Sequence, residues 1–194
     1  MKTFVEIGTC DFDTNLALIS SGEWRGIMCE PIPKYYSSLI EQARNIDYRY
    51  NLNIDNVAIS NTNGTIEMIE SNDETSEEWV RGVSHVVSDN HTGFKLSSIP
   101  QNKIANIFDY ENTIAVKALT LDNLLLKHRV NYVDFLKIDV EGHELEILKN
   151  YSWRIMPTFI KIEHSHVDVN ELVSILEDNG YLVYKEACDL YAVK

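Results

Sequence analysis

VDFLKIDVEGHE, residues 133–144, drives an apolar run into an acidic cluster that opens the next helix. Val133, Phe135, Leu136, Ile138 and Val140 fit a strand buried on both faces of an α/β sheet, because such strands read as near-continuous apolar runs. Asp139, Glu141, His143 and Glu144 then collect at its carboxyl end, the edge where open α/β sheets bind ligands. Gly142 permits the sharp turn into the helix and lets another chain or a ligand approach closely. The same residues also suit a plain acidic helix N-terminus favoured by the helix dipole, so both readings stand at this point.

Upstream of this stretch, strand-like and helix-like patterns alternate. Residues 3–7 read as a first strand, 13–20 as a helix, and 25–29 as a second strand ending at Glu30. Pro31 and Pro33 punctuate the loop before an apolar stripe of Tyr36, Leu39, Ile40 and Ala43 at helical spacing. The runs 57–59 and 65–69 flank SNTNG, where Asn63-Gly64 predicts a hairpin turn. Residues 114–119 read as a strand and 120–128 as a helix. Beyond the central stretch come a helix at 143–149, a strand at 158–163, a helix at 170–178 and a terminal hairpin of 181–184 with 189–193. Between 71 and 112 periodicity fades, which predicts a lid or substrate-side insertion or, equally, a separate surface excursion.

The 194 residues suit one domain over 1–194, and 44% hydrophobic with 24% charged residues is a globular composition. No run is long and apolar enough for a spanning helix, so membrane insertion is not expected. A strand-like start by Thr3 and only three cysteines, Cys10, Cys29 and Cys188, point to a reducing, cytoplasmic setting. Seventeen basic against thirty acidic residues give a net charge of −13, which repels nucleic acid at long range. A nucleic-acid substrate is therefore the less expected choice. Oligomeric state is left open.

Glu6, Ile7 and Gly8 close the first strand, where Gly8 admits close approach and Glu6 offers a carboxylate to an amine or hydroxyl. The continuation TCDFDTN lacks the three-glycine dinucleotide fingerprint, and Glu6, Asp11 and Asp13 disfavour a pyrophosphate. That argues against a nicotinamide oxidoreductase and for a cationic or zwitterionic cofactor. Glu30 ends the second strand at the position where an acidic side chain accepts hydrogen bonds from ribose hydroxyls. Asn56 fits a base or ribose contact, or a satisfied turn.

VEIG at 5–8, CEP at 29–31, NVAIS at 56–60, TLDNLL at 120–125 and FLKIDVEGHELEIL at 135–148 together resemble the FkbM-like family of S-adenosylmethionine-dependent methyltransferases. The resemblance implies a class I methyltransferase (Rossmann-like) fold. This is a three-layer α-β-α sandwich on a mostly parallel seven-stranded sheet with an antiparallel terminal strand. It implies S-adenosyl-L-methionine as cofactor, with Glu6, Gly8 and Cys10 at the methionine-side turn, Glu30 on the ribose, and Asn56 with Val57 at the adenine edge. It also points to hydroxyls of sugars, glycans or small metabolites as acceptors. The chain departs from the family at the first turn, where Phe12 stands in place of a second glycine and resists a positive φ. That departure keeps a noncatalytic nucleoside-binding or scaffold protein as the alternative.

Methyl transfer to a hydroxyl needs a group to take its proton. Asp139 is the first candidate, able equally to hold the cofactor or cap the turn, with Glu141 and His143 as supporting residues. Glu163 and one histidine of EHSH, His164 or His166, are placed to share the pocket of Asp139. Asp139, Glu163, His164 and His166 are thus candidate ligands for a divalent metal such as magnesium, or ordinary polar loop residues. In the insertion, Trp79, Arg81, His85 and His91 are candidate acceptor contacts, whereas Trp79 and Phe94 also suit plain anchoring.

Overall fold

The computed structural model describes residues 1–12, 14–46, 51–71, 82–87 and 108–194, with the backbone alone at 108–112. Its main sheet has seven strands: β1 (Lys2–Ile7), β2 (Trp24–Cys29), β3 (Leu52–Asp55), β8 (Phe135–Ile138), β9 (Phe159–Glu163), β10 (Leu182–Glu186) and β11 (Asp189–Val193). Their order is β3-β2-β1-β8-β9-β11-β10, with β11 antiparallel to both neighbours and the pairs from β3 to β9 parallel. The expected seven-stranded, mostly parallel sheet with an antiparallel terminal strand is present. β3 has no counterpart among the expected strands.

Both faces of the sheet are buried, which is why its central strands are so apolar. On β1, Phe4 packs with Met28, Leu39, Ala43 and Leu16, bringing in α1 (Leu16–Ile19) and α2 (Pro33–Arg44). Val5 and Ile7 point the other way, into a core with Leu124, Leu136, Ile147 and Leu172. That layer contains α3 (Leu121–Lys127), α4 (Glu144–Lys149) and α5 (Val169–Asp178). Thr120 caps α3 through Asn123 N–H, and Asp168 caps α5 through the amides of Asn170 and Glu171.

A second, four-stranded sheet has the order β4-β7-β5-β6, built from β4 (Ala58–Ile59), β5 (Gly64–Ser71), β6 (His85–Val86) and β7 (Phe108–Leu119). This corrects the hairpin expected around SNTNG. β7 lies between β4 and β5, and Ala118 pairs with Ala58 on one side and Gly64 on the other. Asn63 serves the connection differently: its Oδ1 accepts from Thr120 N–H and Asn123 Nδ2, tying the loop to the start of α3. The sheet also occupies both ends of the expected 71–112 insertion. Trp79, Arg81, His91 and Phe94, and most of that insertion, lie outside the described residues. No helix among the described residues is long and apolar enough to cross a membrane.

Candidate active site

Three strand ends meet at the carboxyl edge of the main sheet. Gly8, after β1, has φ +75°, and a Cβ there would lie 1.7 Å from the Asp139 carbonyl oxygen. The space that its missing side chain leaves is therefore filled by the chain itself. Gly8 N–H donates to Cys29 O and Asp139 N–H donates to Ile7 O, so the ends of β1, β2 and β8 are locked together.

Glu30 organises the first turn. It is buried, its Oε2 accepts from Cys10 N–H at 2.6 Å, and its Oε1 accepts from Ile32 N–H at 2.8 Å. Burial pushes its pKa up to about 7, against the opposing effect of those amides. The left-handed residue in this turn is Cys10, with φ +49°, while Phe12 has no positive φ; the strain expected at Phe12 falls two residues earlier. Such a conformation costs a non-glycine residue roughly 1–2 kcal/mol, which the short charge-assisted bond to Glu30 offsets. Phe12 instead packs with the cluster of Ile32, Tyr35 and Met68 and against Gly82. The Cys10 thiol is pushed well above its usual range by burial and by the carboxylates of Glu30 and Asp11, so it stays protonated.

Two expected cofactor contacts lie behind the cavity wall. Glu6 is wholly buried, accepts from Asn15 N–H at 3.0 Å and pairs with Lys137 Nζ at 3.3 Å. Lys137 interrupts the apolar run of β8 directly opposite Glu6 in the sheet register, and a buried lysine demands such a partner. Asn56 Nδ2 donates to Glu30 O and Pro31 O, holding the end of β2 in place. Val57 does line the cavity.

That cavity is partly open to solvent, and about 520 Å³ of space, its solvent-filled mouth included, lies between its walls. Gly8, Cys10, Glu30, Ile32, Val57 and Ala58 line it, as do Asp139, Glu141 and His143; Gly82, Ser84 and Val86, around β6, form a further part of the wall. His143 Nε2 lies 2.9 Å from Ser60 Oγ, and burial lowers the histidine pKa, keeping the ring neutral near pH 7. Glu144 is buried at the start of α4, where its carboxylate accepts from Val140 N–H and Gly142 N–H. It thereby closes the 140–142 loop on itself. Ser60 and Glu144 are the site residues to which sequence reasoning gave no role; the spacing of an acid two residues past Gly142 is the one signal that pointed to such a clamp.

Glu163 at the end of β9 and His166 in the loop beyond it converge on Glu141, with one ligand atom from each lying within 4.8 Å of the others. His166 Nε2 is 3.1 Å from Glu141 Oε2. Burial, reinforced by the Asp139 charge, raises Glu141 to about 8; burial, then Glu141 and Asp139, raise Glu163 to about 7. His164 is not part of this group: its N–H donates to Cys188 O. His85 on β6 is buried with Nδ1 at 3.1 Å from Val83 O, and it does not line the cavity.

Glu30 and Glu144 set a pH dependence of stability. Both have an ordinary value near 4.5, raised in the fold to about 7 and about 8. The folded chain thus holds protons that the unfolded chain releases, and stability falls as pH rises across roughly 4.5 to 8. The facing groups are Asp11 and the amides of Cys10 and Ile32 for Glu30, and Glu163 and the amides of Val140 and Gly142 for Glu144. The urea midpoint is expected to be lower at pH 8.5 than at pH 5.5, with a shallower slope in Glu144→Gln. A midpoint rising with pH would contradict this.

The sheet order, with its antiparallel strand inserted next to the edge, defines a Rossmann-like class I methyltransferase core. The methyltransferase FkbM domain matches residues 6–183, and the chain belongs to that family, S-adenosylmethionine-dependent methyltransferases. Among solved structures, it is similar to a precorrin-6y C5,15-methyltransferase from Geobacter metallireducens at 14% identity and TM-score 0.46, covering 99% of this chain and 78% of that one. It is also similar to a fibrillarin pre-rRNA processing protein from Methanococcus jannaschii, at 12% identity and TM-score 0.45, covering 99% and 66%. A third, TrmK of M. capricolum in complex with S-adenosylhomocysteine, shares 12% identity at TM-score 0.46, covering 99% and 60%. Similarity at this level assigns neither substrate nor site. No curated protein matches the chain.

Proposed function

We propose that this enzyme transfers a methyl group to a hydroxyl of a sugar, glycan or small metabolite, with S-adenosylmethionine on the Glu30 side of the cavity and the acceptor against Asp139. The observation that carries this reading is that Glu30, Asp139 and Glu141 line one cavity. Its residues fit the cofactor. A carboxylate offers about four acceptor positions, and the amides of Cys10 and Ile32 occupy two, leaving room for ribose hydroxyls on Glu30. Ile32, Val57 and Ala58 supply apolar walls for the adenine, and the acidic end of the cavity suits a cationic sulfonium.

When bound, S-adenosylmethionine would supply an electrophilic methyl group for an acceptor oxygen. Asp139 takes the acceptor's proton. Its backbone is fixed by the bond to Ile7 O and by contact with Gly8, which anchors the residue at the cavity wall. Glu141, paired with His166 at 3.1 Å, orients the acceptor rather than serving as the base. Neutral His143 orients the acceptor with Ser60. Glu6 and Asn56 position the cofactor turn from behind, and Gly82, Ser84 and Val86 wall the acceptor side of the cavity within a single domain. The net charge of −13 supports a neutral or cationic acceptor over nucleic acid.

Asp139→Asn is expected to lower kcat by about 10²–10⁴-fold while leaving S-adenosylmethionine affinity nearly unchanged. Screening hydroxylated and amine acceptors by mass spectrometry provides the assay. Undiminished turnover in Asp139→Asn, or methylation confined to amines, would overturn the proposal.

A further inference from the structure

We propose that Glu141, Glu163 and His166 form a binding site for one divalent transition-metal ion, at the ends of β8 and β9 beside the methyl-transfer cavity. Two carboxylates and one imidazole converge there from the loop after β8, the last residue of β9 and the loop that follows it, one ligand atom from each within 4.8 Å of the others. In a tetrahedral site with ligand distances of about 2.1 Å, ligand atoms stand about 3.4 Å apart. The Glu141–His166 separation of 3.1 Å is already at that spacing, and closing the rest takes side-chain movement of about an ångström.

A second, independent observation points to an absent cation. Glu163 Oε2 is buried with no hydrogen-bond partner among the described residues. A buried acceptor left in that state carries a desolvation cost that a bound ion removes. Charge leads the same way: Glu141 and Glu163 repel each other, and Asp139 adds to the repulsion on both. A bound cation offsets that repulsion.

The donor set selects the ion. Imidazole suits zinc, iron and nickel, carboxylates suit manganese and magnesium, and a mixed set with an open position suits Mn²⁺ or Zn²⁺ better than Mg²⁺. This set differs from the metal candidates read from the sequence. His164 is outside it, and Glu141, linked to His166, takes the place given there to Asp139. Glu141 lines the cavity as well, so an ion here would sit next to the acceptor; that consequence rests on the proposed function, whereas the site itself does not.

Chelator-treated full-length protein is titrated with Mn²⁺, following loss of the free-ion paramagnetic resonance signal, without cofactor or acceptor. Competition with Zn²⁺ and Mg²⁺ gives the selectivity. One equivalent is expected to bind, displaced by Zn²⁺ far more readily than by Mg²⁺, with affinity lowered at least about tenfold in Glu163→Gln and in His166→Gln. Glu177→Gln, on the exposed side of α5, controls for diffuse binding to an acidic chain and is expected to leave affinity unchanged. Circular dichroism identifies a variant that fails to fold, and the other then decides. Absence of binding to folded wild type, or equal affinity in the folded variants and wild type, overturns the site. Neither result bears on whether the acceptor is a hydroxyl, which the methylation assay reads separately.

Discussion

Gly8→Ala is expected to abolish S-adenosylmethionine binding and to lower unfolding free energy by on the order of 3–5 kcal/mol. The left-handed φ of +75° alone costs an alanine roughly 1–2 kcal/mol. The greater part comes from the 1.7 Å separation between the new Cβ and the Asp139 carbonyl oxygen, a backbone atom that cannot rotate away. Either β8 moves off β1 or the turn leaves its position, and both displace Asp139 relative to Glu30. Gly22→Ala provides the control. Gly22 has nearly the same φ, +72°, with nothing within 4 Å of its Cβ position, so it bears the conformational cost alone. Urea unfolding of the two variants, paired with calorimetry, separates the contributions. Equal stability losses at Gly8 and Gly22 would show that the contact with Asp139 is unimportant.

Glu30→Ala is expected to weaken S-adenosylmethionine binding by about 100-fold or more. Hydrogen bonds to a charged group contribute about 1.5–3 kcal/mol each, and two from ribose hydroxyls give about 3 kcal/mol at the low end, close to two decades in Kd. The substitution also strips the amides of Cys10 and Ile32 of their acceptor, so stability falls by roughly 1–3 kcal/mol for each amide left dry. Affinity is therefore compared below the variant's unfolding temperature, with Glu30→Gln, which keeps the volume, alongside. Cofactor affinity equal to wild type in folded Glu30→Ala would remove Glu30 from the ribose site.

The parallel strands were legible because burial on both faces leaves mostly apolar residues in the middle of β1, β2, β8 and β9, where the buried Lys137 faces its partner Glu6. β3 escaped because LNID, at the sheet edge, is only partly buried beyond Leu52. The false hairpin at Asn63-Gly64 had a different cause. β4 and β5 both pair with β7, and local turn chemistry carries no information about a partner more than forty residues away. In the site, Glu30 was legible from its place at the end of β2 and Asp139 from the end of β8, because topology alone sends those positions to the ligand edge. Glu6 and Asn56 were placed at the correct edge without any sign of which way their side chains turn. The left-handed Cys10 was hidden for an energetic reason: its support comes from Glu30, twenty residues on, and not from the local sequence. Convergence of Glu141 with His166 depends likewise on loops after different strands, so spacing within EHSH could not choose between His164 and His166.

The most direct test of the cofactor site is calorimetric titration of the metal-free wild-type protein with S-adenosylmethionine, S-adenosylhomocysteine and NAD. A cavity with Glu30 at one end, no glycine-rich pyrophosphate turn and an acidic far wall predicts saturable, single-site binding of both sulfur nucleosides and none of NAD. Folded protein that binds neither sulfur nucleoside, or that binds NAD in their place, would contradict it.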